Sequence, residues 1–171
     1  MTISQKKPIP FDLLHVLAAA LYRAAAVGNL VYTLCVLPSM PHTVGYHFAA
    51  DGTFDLFGAR ATAFVHPLVA EGLMLLLFGL LTMAAWRMRP VKRWSAASNR
   101  ALTLSAVYLC DVLSIVVVAI MAHWTYCVAN QTPMHTEFCR GMVWLAIASF
   151  AAQAVLMVVL AFHARVVARR N

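Results

Sequence analysis

The chain has 171 residues, of which 63% are hydrophobic and only 11% are charged. Soluble domains average about half apolar and a quarter charged residues, so this composition excludes an ordinary water-soluble fold. The formal net charge of +7 does not indicate a nucleic-acid partner, because no nucleic-acid-binding motif accompanies the basic residues.

Four apolar runs are separated by short polar clusters, and they cover residues 13–36, 61–86, 101–124 and 141–163. Each run exceeds the roughly 20 helical residues that cross about 30 Å of hydrocarbon. We therefore predict one all-α domain over residues 1–171, an integral membrane protein built as a four-transmembrane-helix bundle. The first run has full spanning length, so we predict a retained helix rather than a cleaved signal peptide.

The basic residues predict the orientation of these helices. Ten Lys and Arg residues lie before the first run, between the second and third, or after the fourth, whereas Arg60 and Arg140 lie at the other ends. The positive-inside rule then places both termini and the basic loop 87–100 in the cytoplasm. Loops 37–60 and 125–140 would lie outside. We therefore predict a multi-pass protein of the bacterial inner membrane, in contact with the lipid bilayer.

The first outer loop is rich in turn-forming and aromatic residues, which favours a folded structure at the membrane surface. Gly52 after Asp51 suits a turn with positive φ, and Gly58 allows a close backbone approach where the chain re-enters the membrane. Arg60 is expected to anchor at the lipid headgroups. His47 and Asp55 are expected to hydrogen-bond across the loop.

The same loop carries a motif of fixed order and spacing, made of Leu37-Pro38, His47-Phe48, Gly52, Asp55, Phe57 and Gly58. This motif and its flanking helices, residues 13–86, resemble the N-terminal membrane domain of the SdpI-like immunity proteins. The chain departs from that pattern at Ala49, where Asn or Asp is usual, at Ala59-Arg60, where Ser-Lys is usual, and in the extra spacing between Pro41 and His47. The second helical half of the longer SdpI-like proteins has no counterpart after Arg100.

The resemblance implies a small non-enzymatic envelope protein that protects its host from a membrane-acting peptide toxin. It does not imply the chemistry of that protection. Two interpretations of the loop residues stay open: they contact a ligand directly, or they only hold the shape of the loop. The candidate outer-loop residues are His47, Phe48, Asp51, Gly52, Asp55, Phe57, Gly58 and Arg60.

Strongly polar side chains also occur inside the apolar runs, at Arg23, Asn29, Glu71, Asp111 and Gln153. At about 1.5 Å per helical residue, Arg23, Asp111 and Gln153 each lie roughly 15 Å from the cytoplasmic end of their run, so we predict that they share one level, with Glu71 slightly further out. Ionisable residues in a membrane span normally face the helix bundle and find partners there. We expect Arg23 to pair with Asp111, with Glu71 as a second acceptor and Asn29 extending the network. The network either fixes helix packing or binds a proton or cation in a small transporter.

Cys127 and Cys139 lie within the predicted second outer loop, on the oxidising side, and predict a disulfide. Most of the histidines fall near the outer ends of the spans, but their spacing matches no metal motif, so no metal is predicted. Catalytic motifs are also missing from the sequence. We therefore expect neither an enzyme nor a cofactor.

Three functions remain from the sequence. The leading hypothesis is a membrane protein of the SdpI-like immunity type, whose outer loop binds a ligand such as a peptide toxin. The second is a small proton-coupled transporter that uses Arg23, Glu71 and Asp111. The third is an accessory subunit of a larger membrane complex, and homo-oligomerisation is compatible with each.

Overall fold

A computed structural model describes residues 12–92 and 94–170. Its elements in chain order are α1 (Leu13–Val36), a short 3-10 turn (Leu37–Ser39), β1 (Thr43–Phe48), β2 (Phe54–Ala59), α2 (Arg60–Trp86), α3 (Ala96–Asn130) and α4 (Thr136–Arg170). All four α-helices are long and apolar enough to cross a membrane. The prediction of a mostly helical chain with four candidate spans is therefore confirmed.

Short polar side chains fix several helix ends. The Asp12 carboxylate accepts a hydrogen bond of 3.0 Å from the backbone N–H of His15 and caps α1, as free N–H groups in a first helical turn require. Ser95 caps α3 in the same way, through a 3.0 Å bond from Ser98 N–H. At the other end of α3, Gln131 adopts left-handed backbone angles with φ of 49° and turns the chain towards α4.

Helix α3 is the centre of the fold. Helices α1, α2 and α4 each pack against it, whereas α4 makes no extensive contact with α1 or α2 in the described part of the chain. The reason lies in the side chains of α3, whose buried positions are mostly small or β-branched, such as Ser114, Val116 and Val118. Such residues let neighbouring helices approach closely in a membrane protein. The helices therefore surround α3 instead of closing a ring.

Helices α3 and α4 extend beyond the predicted spans. The predicted outer loop 125–140 shrinks to residues 131–135, and the predicted basic loop 87–100 shrinks to residues 87–95. Hydropathy marks only the apolar part of a helix, while backbone hydrogen bonding continues through polar residues such as Asn130. The predicted first outer loop, by contrast, contains a β-hairpin, with β1 and β2 antiparallel.

The hairpin lies on its own apolar core at one end of the helices, which we call the hairpin end. Its fully buried members are Met40, Val44, Ala63, Phe64 and Val128. They come from the residue after the 3-10 turn and from β1, α2 and α3, so the hairpin is packed against the helices rather than attached by its termini alone. Segment 37–60, the predicted first outer loop, is therefore folded, as its aromatic content predicted.

Candidate functional site

The tip of the hairpin is a three-residue loop, residues 50–52, between the hydrogen-bonded Ala49 and Thr53, and Asp51 and Gly52 stabilise it. Gly52 N–H donates to Ala49 O at 2.9 Å, and Ala49 N–H donates to Thr53 O at 2.8 Å. Gly52 has φ of +87°, the positive value predicted from the Asp-Gly pair and favoured at this position of such hairpins. The Asp51 carboxylate accepts from Thr53 N–H, and this bond lowers the pKa of Asp51 below its ordinary value of 3.8.

His47 and Asp55 hydrogen-bond across the two strands through His47 Nδ1 and a carboxylate oxygen, as the sequence predicted. Both side chains are exposed, at 49% and 43%. An ion pair this exposed contributes at most about 1 kcal/mol to stability. The pair is therefore free to contact a ligand and is not a major support of the hairpin.

Trp124 of α3 and Gln131, the residue that follows α3, hold strand β1. The Gln131 side chain accepts from Gly45 N–H at 2.9 Å and donates to Gly45 O at 3.2 Å. Trp124 Nε1 donates to Tyr46 O at 3.1 Å. The Gln131 amide thus bonds β1 as a further strand would, and the backbone edge of β1 is covered at Gly45.

Two glycines of the hairpin are needed for close contacts of aromatic rings. A Cβ on Gly45 would lie 2.4 Å from the ring of Phe54, and a Cβ on Gly58 would lie 2.9 Å from the ring of Tyr46. The Tyr46 ring also stacks on His66, with 6.2 Å between ring centroids. Gly58 is therefore required for packing between the strands, and its close neighbour is an aromatic ring and not the backbone that the sequence analysis predicted.

Arg60 lies where the hairpin joins α2. Its guanidinium donates to Met40 O at 2.6 Å and to Pro38 O at 3.1 Å. These bonds close the loop by joining its first and last residues. Arg60 is therefore a clamp on backbone carbonyls, and its anchoring at lipid headgroups stays a prediction.

Strand β2, at the free edge of the hairpin, exposes two apolar side chains. Leu56 is 50% exposed and Phe57 is 63% exposed. Phe48 is partly buried instead, with its ring centroid 4.5 Å from that of Phe54 and 5.5 Å from that of Trp124, and it packs against the hairpin core. Of the aromatic motif residues, Phe57 is thus available to a ligand and Phe48 belongs to the core.

The backbone of β2 is open at Phe57. Gly45 is the register partner of Phe57 and uses both its backbone groups on Gln131, away from β2. In an antiparallel ladder the two members of such a pair both point outward. The N–H and C=O of Phe57 therefore face the free edge of the hairpin, away from β1.

Inside the helices, the predicted pairing of Arg23 with Asp111 is wrong. The buried Asp111 carboxylate pairs with His15 Nδ1 at 2.8 and 3.0 Å, and the ring of Trp86 lies edge-on to His15. Arg23 is exposed on the outside of α1, with its guanidinium 5.8 Å from the Tyr22 ring centroid. The sequence count of depth failed because α3 extends further than α1 away from the hairpin end. Asp111, the sixteenth residue of α3, therefore lies level with His15, the third residue of α1.

Asp12 and Tyr108 continue this cluster at the end opposite the hairpin. The Tyr108 hydroxyl donates to Asp12 Oδ1 at 2.9 Å. The pKa of Asp12 is lowered, first by the bond from His15 N–H and then by the Tyr108 hydroxyl. Asp12, His15 and Tyr108 were not predicted as site residues. A signal in the sequence is the seven-residue spacing, nearly two helical turns, that starts at His15 on α1 and at Asp111 on α3.

Asn29 and Glu71 form a second buried cluster, nearer the hairpin. Asn29 Nδ2 donates to Glu71 Oε2 at 2.8 Å, the one side-chain hydrogen bond between α1 and α2 in the described residues. Glu71 is 3% exposed, and its second oxygen, Oε1, has no hydrogen-bond partner within them. The predicted link of Asn29 to the polar network thus exists, but without Arg23.

Gln153 belongs to neither cluster. It lines an open groove of about 250 Å³ between α3 and α4, together with Ser105, Tyr108, Leu109, Val112, Ser149, Ala152 and Leu156. The predicted common level of Arg23, Asp111 and Gln153 therefore does not bring the three side chains together.

Cys127 and Cys139 are free thiols, so the predicted disulfide is not present. Each lies in a helix, Cys127 buried near the end of α3 and Cys139 in the first turns of α4. The Cys127 thiol donates to Pro133 O at 3.5 Å and lies 3.6 Å from His123 Nε2. The prediction failed because it placed both cysteines in one long loop.

No group of three or more His, Cys, Asp or Glu side chains in the described part of the chain is arranged to hold a metal ion. Comparison of the chain with protein-family models, with curated proteins and with solved structures gives no match. The candidate sites therefore rest on geometry: an exposed hairpin edge and two separate buried polar clusters.

Proposed function

We propose that this chain is a non-enzymatic multi-pass membrane protein that binds an extended peptide along β2 of its outer hairpin. The outward-facing backbone of Phe57, together with the exposed side chains of Leu56 and of Phe57 itself, carries this proposal. A peptide strand added to an exposed sheet edge gains main-chain hydrogen bonds, and its alternate side chains supply specificity. Protection against a membrane-acting peptide toxin is the concrete version, because such a peptide offers apolar side chains to Leu56 and Phe57.

The asymmetry of the hairpin supports β2 as the binding strand. At Gly45 the edge of β1 is occupied by the Gln131 amide, whereas β2 is open at the register partner, Phe57. Proteins usually protect a free edge with charge, proline or cover. Here Phe57 itself carries neither charge nor proline. The exposed His47–Asp55 pair near it supplies polar groups that a bound peptide can contact in addition to the apolar side chains.

Expression in a toxin-sensitive bacterial host tests this function. Wild-type chain should raise tolerance to a membrane-acting peptide, and Phe57→Pro should abolish the gain because it removes the free N–H and the ring together. Phe57→Ala, which keeps the N–H, should retain part of it. Equal protection by Phe57→Pro and wild type, at equal protein level in the membrane, would refute binding at this edge.

A second candidate is an accessory subunit of a larger membrane complex, and the position of Arg23 favours it. An exposed Arg within an apolar helix costs about 2.5 to 3.5 kcal/mol at the membrane centre on insertion scales. A partner helix with an acidic side chain would offset that cost. Purification in mild detergent should then recover a stoichiometric partner with wild type and lose it with Arg23→Leu; recovery of the wild-type chain alone would exclude this candidate.

A further inference from the structure

Helices α1 and α3 run side by side with matched seven-residue series. On α3 the series is Asp111, Val118 and Thr125, and on α1 it is His15, Tyr22 and Asn29. Seven residues are nearly two helical turns, so each series follows one face of its helix. Asp111 bonds His15, and Val118 belongs to the same buried apolar cluster as Tyr22 and Ala19 of α1, which shows that these two faces meet.

This registration places Thr125 at the level of Asn29 and Glu71. Fourteen residues separate Asp111 from Thr125, and fourteen separate His15 from Asn29, about 21 Å in each helix. The ends agree with this register, because Asn130 of α3 hydrogen-bonds Tyr32 of α1 at 3.2 Å. Three polar residues from three helices therefore share one level.

Two of these residues carry the buried side-chain atoms that have no hydrogen-bond partner among the described residues, Glu71 Oε1 and Thr125 Oγ1. Thr125 is completely buried. Other buried hydroxyls of these helices are satisfied by their own backbone: Thr33 donates to Asn29 O at 2.9 Å and Ser114 donates to Cys110 O at 2.8 Å. Buried polar atoms without partners are rare and often mark an ion or water that belongs there.

The charge of the site is also incomplete. Asn29 is a neutral partner, and Glu71 forms no ion pair within the described residues. A carboxylate buried without a positive charge is strongly disfavoured in an apolar medium. The missing component is therefore one positive charge.

We propose that Glu71, Asn29 and Thr125 form a binding site for one monovalent cation, taken up either as a proton or as Na⁺. A proton would bind Glu71 Oε1 and leave a neutral carboxyl whose O–H points towards the Thr125 hydroxyl. Na⁺ would be held by the carboxylate and the hydroxyl oxygen. This site is independent of peptide binding at β2.

An apolar layer separates the cation site from the cluster at the opposite end. It consists of Ala19, Tyr22, Ala26, Leu75, Ile115 and Val118. The titratable groups on the facing series are Tyr22 and His15 of α1 and Asp111 of α3, and the last two already pair with each other. On α2 itself, His66 stacks on Tyr46 in the hairpin. None of these groups supplies a cation to Glu71.

Carbodiimide labelling of the purified full chain in detergent tests the site. Dicyclohexylcarbodiimide modifies carboxyl groups in their protonated form, and peptide mass spectrometry would quantify modification at Glu71. A single protonation site predicts labelling that falls about tenfold per pH unit above its midpoint. At fixed pH, Na⁺ should reduce labelling relative to choline if the ligand is Na⁺, and should have no effect if it is a proton.

Two variants make the test specific. Thr125→Val should change the pH midpoint or weaken Na⁺ protection, while the matched control Thr33→Val should not, because the Thr33 hydroxyl is already bonded within its helix. Exposed Glu137 is an internal reference for reagent quality. Labelling of Glu71 that is independent of pH and Na⁺, or that appears only after denaturation, would overturn the proposal, and unchanged behaviour of Thr125→Val would remove Thr125 from the site.

Discussion

Replacement of His15 by Ala should strongly destabilise the fold, because it leaves the Asp111 carboxyl without its partner. The Asp111 side chain is only 4% exposed, and that of His15 is 16% exposed, so water cannot replace the lost hydrogen bonds. Removing one member of a buried pair typically costs about 3 to 5 kcal/mol. Replacing both members with apolar residues of similar size is often nearly neutral, so the His15→Leu, Asp111→Leu double variant should recover most of the loss.

A double-mutant cycle measures this coupling. The free energy of unfolding would be determined in mixed micelles for wild type, His15→Ala, Asp111→Ala and the double Ala variant. A direct pair predicts a coupling energy above about 0.5 kcal/mol, the usual scatter of additivity between independent sites. As a control, Arg23→Ala combined with Asp111→Ala should be close to additive. Additive costs at His15 and Asp111 would show that the two side chains do not form the pair on which this prediction rests.

Three further predictions concern the hairpin. Gly52→Ala should destabilise the hairpin by about 1 to 3 kcal/mol, because φ is +87° and a Cβ would lie 2.3 Å from the Met134 carbonyl oxygen in the loop before α4. The loss of stability would appear as weaker amide-exchange protection in β1 and β2, and unchanged protection would contradict it. Gln131→Ala should expose Gly45 N–H, seen as faster exchange at that amide relative to strand neighbours. Folding lowers the pKa of Asp51, so the stability that the ionised carboxylate adds is complete above pH 3.8 and is lost as the pH falls through the lowered pKa. The NMR shift of the Thr53 amide should therefore stay constant above pH 3.8 and move only below it.

The sequence alone determined the four apolar helices, because roughly 20 consecutive apolar residues have few other stable solutions. It also determined the local chemistry of the hairpin: the positive φ of Gly52 follows from the lack of a Cβ, and the His47–Asp55 bond from two complementary groups across a short turn. Both features depend on neighbours that are close in the chain. The termini in the cytoplasm and the SdpI-like resemblance stay predictions.

The tertiary structure alone decided which polar residues meet. Depth counted along single helices placed Arg23 beside Asp111, but the early start of α3 shifts the register and brings His15 there instead. The continuation of α3 and α4 past their apolar runs likewise moved Cys127 and Cys139 out of a shared loop. Partners on different helices depend on helix offset and rotation, which hydropathy does not encode, and a shift of a few residues replaces one partner by another.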